Sequence, residues 1–299
     1  MAEIAHALGR HRSTVYREVG RNRSAYDGAY RAAAAIEHTN GRRSRSRRNA
    51  RYGPADYVAI EKRLREDWSP EQIVGRHRRE GLPVMSHETI YLYIWADKAC
   101  GGSLWRHLRG ANKQRRKRYG RHDSRGRLAG KKMIGQRPAV VEQRSRLGDW
   151  ELDTVHGRGT ACVVTAVERK SGLLRVGKLP RATADRTTRR TVEILASEPH
   201  PVRTLTSDNG SEFHGYKDIE RQLNTRVYFA TPHHAWERGS NENTNGLLRQ
   251  YLPKGTNLKP LTQRQCERFA TKLNNRPRLR LNFRTPNEVY HAPVRSPRR

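Results

Sequence analysis

The spacing of hydrophobic residues changes near residue 146 and divides the chain into two parts. Before residue 109 the apolar residues recur at three- and four-residue intervals, which predicts short amphipathic helices. After residue 146, short apolar and β-branched runs alternate with helical spacing, which is typical of an α/β layer. The pattern therefore predicts α-helical units at the amino terminus followed by an α/β domain.

Residues 2–22 contain two apolar faces separated by Gly9. The faces predict two short helices, with Ala2, Ile4, Ala5 and Leu8 on the first and Val15, Tyr16 and Val19 on the second. This layout is typical of a helix-turn-helix, in which the second helix enters the major groove. The candidates for contacts with bases or phosphates are Arg12, Ser13, Thr14 and Arg17. A plain helical hairpin packed on a core is the alternative interpretation.

A second helix pair is predicted within residues 69–108, and its end signals are clearer. Ser69 and Gln72 form a predicted capping box, and Ser86 can cap the next helix. This stretch also resembles a helix-turn-helix. The candidate DNA contacts on its outer face are His87 and Thr89.

Strands and helices alternate after residue 146. The predicted strands are residues 150–155, 161–168, 173–179, 202–206 and 226–230, and the predicted helices are residues 183–196, 216–224, 236–251 and 262–274. An RNase H-like domain has this order of elements: three strands, a helix, a strand, a helix, a strand and a helix. The predicted fold class is therefore multidomain, with α-helical helix-turn-helix units followed by an α/β RNase H-like catalytic domain.

The charge of the chain narrows the choice of partners. Of 299 residues, 61 are Lys or Arg and 29 are Asp or Glu, which gives a net charge of +32. A surplus of this size favours a polyanion, with an anionic membrane surface as the competing partner. There is no apolar run of about 18 residues and no signal-peptide pattern. The three cysteines form no CxxC pair and are typical of reduced thiols in a cytosolic protein. Nucleic acid is the favoured partner.

Two segments are strongly basic. Residues 40–52 contain six arginines and no acid, and residues 109–132 contain eleven Lys or Arg and one Asp. Such runs are disordered or interaction tails unless a polyanion orders them. We interpret residues 109–132 as a linker that also binds phosphates, and a merely solvated linker is the alternative. Its central cations are Arg115, Arg116, Lys117 and Arg118.

Three acidic residues lie where their side chains could converge. Asp153 lies on the first predicted strand, Asp208 follows the fourth, and Glu242 lies on the helix after the fifth. The carboxyl ends of strands in α/β sheets commonly carry ligand groups. Each acid alone also has an ordinary interpretation, as a strand-edge charge, a turn residue or a solvated helix residue. Together they could hold divalent metal ions.

Five stretches of sequence around and beyond these acids form distinctive motifs. They read GDWELDTV at residues 148–155, VERKSG at 167–172, SDNGSEF at 207–213, WERGSNENTNGLLRQYLPKGT at 236–256 and NNRPR..LN..TP.E at 274–288. These motifs resemble the retroviral-integrase-like DDE transposases, and within them the bacterial insertion-sequence family called IS-thirty. The second and third acids are separated by 33 residues, which fits this family.

The resemblance implies a transposase that binds the terminal inverted repeats of an insertion sequence and catalyses metal-dependent DNA cleavage and strand transfer. Asp153 would bridge two Mg²⁺ ions, with Mn²⁺ as a possible substitute, and Asp208 and Glu242 would each complete one metal site. Two such ions clamp the attacking and leaving oxygens of an in-line displacement at phosphorus. The implied partner is double-stranded DNA, which includes both the element ends and the target. The resemblance also implies a homo-oligomer on DNA, located in the bacterial cytoplasm at the nucleoid and not at a membrane.

Further residues near the acids are candidates for holding DNA or orienting the carboxylates. They are Asn209, Arg238, Asn241, Asn243 and Arg249. Trp236 could stack on a displaced base, or it could be an ordinary aromatic residue at the start of the helix.

Three other acids lie close to the motif acids in sequence. Asp149 and Glu151 precede Asp153, and Glu151 shares its strand face. The family motif nevertheless places the ligand at Asp153. Glu212 lies inside SDNGSEF, and we assign it a local structural role.

Two other functions stay open from the residues alone. The chain could be a DNA-binding repressor or scaffold with an inactive catalytic centre, or a metal-dependent nuclease without strand transfer. The presence of all three acids gives no reason to prefer an inactive centre. The helix-turn-helix units favour recognition of element ends over a plain nuclease.

The predicted domains follow from these patterns. They are a partial helix-turn-helix at 1–30, a basic arm and helix at 31–68, a second helix-turn-helix at 69–108, a basic linker at 109–145, and an RNase H-like core with a basic tail at 146–299. Family members carry a further helix before the first pair, and two short helices bury too little to fold alone. We therefore expect poor order in residues 1–30 unless another segment, such as the arm at 31–68, covers them.

Overall fold

The computed structural model describes residues 1–45, 52–110, 130–231, 234, 237 and 239–293. The chain divides into two compact units, Met1–Tyr57 and Val58–Arg299. The finer domain boundaries drawn from the sequence remain predictions. Within the described ranges, no helix is both long and apolar enough to cross a membrane.

The described part of the first unit is helical. It contains α1 (Ala2–Ala7), α2 (Arg12–Asn22) and α3 (Ala32–Arg45). Each helix buries one small apolar residue, and these are Ala5, Val15 and Ala35. Ile4 and Leu8 remain 51% and 65% exposed. The arm that follows the predicted pair therefore covers part of its apolar face and leaves the α1 side open.

The basic segment at 40–52 is partly helical, which differs from the tail expected there. Its first residues complete α3, which begins in an alanine run, and alanine is the strongest helix former. Arg42 donates hydrogen bonds to Asn22 Oδ1 at 2.7 Å and to Thr39 Oγ1 at 3.0 Å. Asn22 is a buried residue of α2. The basic side chain of Arg42 therefore connects α3 to α2. Residues 46–51 lie outside the described residues.

The second unit contains a five-stranded mixed sheet. Its strands are β1 (Asp149–His156), β2 (Cys162–Glu168), β3 (Leu174–Leu179), β4 (Thr204–Ser207) and β5 (Arg226–Phe229). Their order is β3-β2-β1-β4-β5. β1, β2 and β3 are antiparallel neighbours, whereas β4 runs parallel to β1 and to β5. The change from antiparallel to parallel pairing falls at β1, which is the central strand.

Helices connect and cover these strands, the first four in the predicted order and a short last one that was not predicted. They are α7 (Ala184–Leu195), α8 (Tyr216–Leu223), α9 (Gly239–Leu248), α10 (Gln263–Asn274) and α11 (Pro286–Tyr290), numbered after the six helices that precede the sheet. Helix α9 ends at Leu248, before the predicted end at Tyr251. It ends in tight turns in which Gln250 donates to Leu247 O and Tyr251 to Leu248 O, and Pro253 restricts the residue before it.

Two apolar cores lie on opposite faces of the sheet. Trp150 and Leu152 of β1 belong to the core that includes residues of α7, α8 and α11. Val155 belongs to the core that includes residues of α9 and α10. Because side chains alternate along a strand, Glu151 and Asp153 share the face of Val155. The strand therefore directs both acids towards the α9 side.

Helices α4 (Pro54–Arg65), α5 (Pro70–Glu80) and α6 (His87–Ala99) precede the sheet. The predicted capping box is confirmed, since Gln72 N donates to Ser69 Oγ at 3.3 Å and Ser69 N donates to Gln72 Oε1 at 3.0 Å. Ser86 caps α6 by accepting from Thr89 N at 3.1 Å. The two helices of the second predicted pair are thus present where the sequence signals placed them.

Helix α5 packs against α11 and against the segment that precedes it. Arg76 donates to both carboxylate oxygens of Glu288 at 2.7 Å, and Gln72 donates to Pro277 O at 2.9 Å. Phe283, at a positive φ of 55°, presses its ring onto the backbone of Gly75. One helix of the second pair is therefore bound to the carboxyl-terminal part of the chain.

A second attachment is centred on Asp67, in the turn after α4. Its carboxylate accepts hydrogen bonds from His107 Nδ1 at 2.8 Å, Tyr251 OH at 2.9 Å and Lys272 Nζ at 2.8 Å. Burial opposes ionisation of Asp67, but the hydrogen bonds from Lys272, His107 and Tyr251 outweigh it and lower its pKa. A charged carboxylate thus connects the helices before the sheet to α10 and the turn after α9.

We expect Gly75→Ala to destabilise the second unit by about 1–3 kcal/mol, the usual cost of overpacking. A Cβ at this position would lie 2.1 Å from Phe283 Cε1. Denaturant-induced unfolding measures the loss. In a Phe283→Ala background the ring is absent. The same substitution should then change the free energy of unfolding little, or raise it, because alanine has a higher helix propensity than glycine. An equal cost in both backgrounds would contradict this packing.

Candidate active site

Asp153 and Asp208 lie just beyond residues that are paired between the adjacent strands β1 and β4. In the parallel register of β1 and β4, Glu151 is opposite Thr206. Two residues further along, Asp153 lies on β1 and Asp208 directly follows β4. Neighbouring strands are about 4.8 Å apart, so both acids lie at the carboxyl end of the parallel pair, as the sequence predicts.

Helix α9 approaches Asp153 through an asparagine. Asn245 Nδ2 donates to Asp153 Oδ2 at 2.9 Å, while Thr154 N donates to Oδ1 at 2.9 Å. Directly after the last residue of α9, Arg249 donates to His156 O at 2.9 Å. Burial lowers the pKa of Arg249, and the charge of Asp153 opposes this shift. This face of α9 therefore lies along the end of β1.

Glu242 lies three residues before Asn245 and so shares its helix face. Its side chain is exposed. Among the described residues, no three Asp, Glu, His or Cys side chains are close enough together to hold a metal ion. The backbone brings the elements of the three acids together, but the carboxylates, which repel one another, are not gathered into one cluster.

The turn after β4 is fixed by short-range hydrogen bonds. Gly210 N donates to Asp208 Oδ1 at 3.0 Å, and Asn209 Nδ2 donates to Ala230 O at 2.7 Å. Glu212 accepts from Thr154 Oγ1 at 2.8 Å, which agrees with a local structural role. A Cβ on Gly210 would lie 2.4 Å from Glu212 Oε2, so the side chain of Glu212 would have to move to admit a larger residue here.

The two described ends of the basic segment 109–132 lie near these elements. Lys131 Nζ donates to Asn209 Oδ1 at 2.9 Å. Burial lowers the pKa of Lys131, and the charge of Asp208 opposes this shift. At the other end, Arg109 Nη2 would be 3.5 Å from a Cβ on Gly246 of α9. The sequence marked the segment as basic but gave no signal for these two positions.

The other acids of β1 are buried and paired with cations. Asp149 accepts from Arg146 at 2.8 and 3.0 Å and from Thr204 Oγ1 at 2.8 Å. Glu151 is fully buried and forms an ion pair with Arg169, which is also buried. Both acids are engaged in the interior, which agrees with the choice of Asp153 over them. The Glu151–Arg169 pair could not be predicted from local spacing.

The predicted DNA contacts of the first unit are accessible. Arg12, Ser13, Thr14 and Arg17 are exposed on the amino-terminal half of α2. Arg17 Nε donates to Ser13 O at 3.1 Å. Their role on DNA remains a prediction.

On α6, the two candidates differ in their surroundings. His87 is exposed and lies 2.8 Å from Glu88 Oε1. The hydroxyl of Thr89 is hydrogen-bonded to Ser86 Oγ at 3.1 Å, so it belongs to the helix cap.

One DNA-binding prediction on α9 is wrong for this structure. Asn241 is fully buried, so its side chain is not available to DNA, and its backbone N–H donates to Glu151 Oε2 at 2.9 Å. The neighbouring Asn243 is exposed. Residues two positions apart on an α-helix point to nearly opposite sides, and the sequence alone did not establish which of these two asparagines faces the sheet. The predicted contacts outside the described residues are Trp236, Arg238, Arg115, Arg116, Lys117 and Arg118.

The sequence of this chain is similar to those of several known proteins. The integrase core domain (rve) matches residues 144–235. The transposase for insertion sequence element IS4351 of Bacteroides fragilis is 41% identical over 288 residues, 96% of this chain and 88% of that protein. The transposase InsI for insertion sequence element IS30A of Escherichia coli (strain K12) is 36% identical over 306 residues, 97% of this chain and 78% of that protein.

Similarity to solved structures is lower. The cryo-EM structure of simian T-cell lymphotropic virus intasome in complex with PP2A regulatory subunit B56 gamma matches 50% of this chain and 56% of that chain, with 19% identity and a TM-score of 0.42.

The mixed sheet, its helices and the matching integrase core domain define an integrase-like catalytic core of the polynucleotidyl transferase class. The full-length relatives then identify the family. The chain belongs to the IS30 family of insertion-sequence transposases. Its activity is therefore DNA transposition, and a repressor or scaffold role is not favoured.

Proposed function

We propose that this transposase binds the terminal inverted repeats of its element and cleaves and joins DNA with Asp153, Asp208 and Glu242 as catalytic acids. The observation that supports this best is the β1–β4 register, in which the two aspartates follow the paired residues Glu151 and Thr206 by two positions each. The hydrogen bond from Asn245 to Asp153 adds the helix that carries Glu242.

The donor set fits divalent metal ions. Mg²⁺ prefers oxygen ligands and keeps several positions for water and substrate phosphates, and Mn²⁺ accepts the same ligands. Asp153 would be shared by two ions, while Asp208 and Glu242 would each bind one of them. When bound, the ions supply the charge that stabilises the attacking and leaving oxygens at phosphorus.

The protein's own residues orient the acids and the substrate. Thr154 N and Asn245 each occupy one oxygen of Asp153, and Gly210 N holds one oxygen of Asp208. Glu242 would turn towards the aspartates from its exposed position. Arg249 and Lys131 would contact phosphates on either side of the acids, because both cations lie beside them. Positioning of this kind accounts for much of catalysis in phosphoryl transfer.

Recognition of the element ends would fall to the helix pairs. The exposed polar and basic residues Arg12, Ser13, Thr14 and Arg17 lie on the amino-terminal half of α2, where the helix dipole favours phosphate. The second pair would add contacts from α6. We propose that the protein acts as a homo-oligomer on double-stranded DNA, because two element ends must be joined to one target. The proposed location is the bacterial cytoplasm.

The purified chain should join pre-cleaved element ends to target DNA in Mg²⁺ or Mn²⁺, and chelation by EDTA should stop the reaction reversibly. The measurement is the formation of joined product from a labelled end with a free 3′-hydroxyl. Cleavage without joining would identify a nuclease, and binding without cleavage would identify an inactive relative. Either result would overturn the proposal.

A further inference from the structure

An ionic network centred on a buried ion pair lies directly behind the proposed acids. Glu151 of β1 is fully buried and pairs with Arg169, which follows β2. The guanidinium of Arg169 also donates to Glu142 at 2.9 Å and to Val141 O at 3.2 Å. An ion pair of this kind is not strong evidence for stability, because the cost of desolvation offsets much of the attraction. Its position relative to the proposed acids is more informative.

The second oxygen of Glu151 binds the start of α9. Asn241 N donates to Glu151 Oε2 at 2.9 Å. This N–H lies in the first turn of α9 (Gly239–Leu248), where backbone donors have no partner within the helix. A carboxylate is also favoured there by the helix dipole. Glu151 therefore caps α9 from the sheet, one residue before Glu242.

The same network reaches the strand that precedes Asp208. Arg137 pairs with Glu142 and donates to Thr206 Oγ1 at 2.8 Å. Burial and then the charge of Arg169 lower the pKa of Arg137 to about 10. The network thus contacts β1 two residues before Asp153, β4 two residues before Asp208, and α9 next to Glu242.

We propose that Glu151, held by Arg169, is a positioning residue that fixes the first turn of α9 and so sets Glu242 against Asp153 and Asp208. The amide side chain of Asn241 is buried without a hydrogen-bond partner in the described part of the protein, so that side chain does not fix the helix start. The carboxylate of Glu151 matters because a glutamine has one acceptor oxygen and an NH2 group that only donates. It could accept only one of the two interactions, and without the strength that the charge adds. This proposal rests on the proposed function of the three acids.

The test compares Glu151→Gln with a matched buried pair. Glu198 pairs with Arg175, its side chain is 2% exposed, and it lies outside the network described above. Hydrogen exchange of the metal-free, DNA-free full chain should show exchange of the first α9 turn at least about tenfold faster in Glu151→Gln and unchanged in Glu198→Gln, with β1 and β2 protected in both. The Mg²⁺ concentration for half-maximal strand transfer should rise about 10–100-fold in Glu151→Gln alone.

A further variant, in which both partners of the ion pair are replaced, keeps the proposal falsifiable. If Glu151→Gln does not fold, the pair Glu151→Gln with Arg169→Gln removes both charges, and the same exchange comparison applies to it. Unchanged protection of the α9 start in the folded variant would overturn the proposal, as would an equal rise in Mg²⁺ requirement in Glu198→Gln. Because exchange needs no activity, a wild-type chain without metal-dependent joining would refute the proposed function while leaving the cap of α9 testable.

Discussion

Replacing any one of the three proposed acids with its amide should reduce cleavage and strand transfer by at least about a thousandfold. The variants are Asp153→Asn, Asp208→Asn and Glu242→Gln. An amide keeps the shape of the side chain but loses the charge that binds divalent metal. Labelled element ends incubated with Mg²⁺ measure the loss, and band-shift titrations should show unchanged binding to the same DNA, because the helix pairs are distant in sequence from the substitutions.

The control is an exposed acid of the same unit. Asp218 on α8 forms a surface pair with Arg221 at 2.7 Å, and surface pairs contribute little. Asp218→Asn should therefore cleave and join like the wild type. Full cleavage by Asp208→Asn, or an equal loss in Asp218→Asn, would refute the assignment of the three acids.

The strands near the site could be predicted because a strand's pattern is local. Trp150 and Leu152 alternate with Glu151 and Asp153, and this period of two places the acids on one face without reference to the rest of the chain. The turn after β4 is also local, since Asp208 and Gly210 bond within it. Sequence patterns of this range were sufficient to locate the five strands and the four helices α7 to α10 along the chain.

The orientation of α9 was not predictable by the same reasoning. Its apolar positions are few, and the polar residues Asn241, Glu242 and Asn245 differ in burial. Two of them, Asn241 and Asn245, form hydrogen bonds with β1. Residues about 90 positions apart in sequence make these contacts. A helix with a weak apolar stripe can rotate by one residue without changing its pattern, so only the packed structure separates the buried asparagine from the exposed glutamate.

The second helix pair shows the same limit at a larger scale. Its caps were predicted because Ser69 and Gln72 are close in sequence. Its attachment was not, because Arg76 and Glu288 are 212 positions apart. The positive φ of Phe283 that directs its ring onto Gly75 has no composition signal, since bulky residues rarely adopt that conformation. Long-range packing, and not local propensity, connects α5 to the carboxyl-terminal segment.

DNA affinity of the full chain should fall about 10³–10⁵-fold between about 50 and 200 mM salt, the loss expected for about 6–10 phosphate contacts. The net charge of +32 makes a polyanion the natural partner, and the segment 109–132 carries eleven of the cations. Its described ends contribute Arg109 beside α9 and Lys131 beside the Asp208 turn. DNA that reaches the acids would therefore pass close to both ends of this segment.

Neutralising the centre of this segment should flatten the salt dependence. Changing Arg115, Arg116, Lys117 and Arg118 to glutamine removes four charges, so the log–log slope should fall by up to about 3–4 units. Binding to specific and to random DNA should weaken about equally, because phosphate contacts carry no sequence information.

The control neutralises exposed arginines around the start of α7, on the other face of the sheet. They are Arg181, Arg186 and Arg189. Fluorescence anisotropy across a salt series measures both sets. An unchanged slope in the first set would mean that the segment is only a solvated linker, and equal changes in both would mean that general charge, not this path, controls binding.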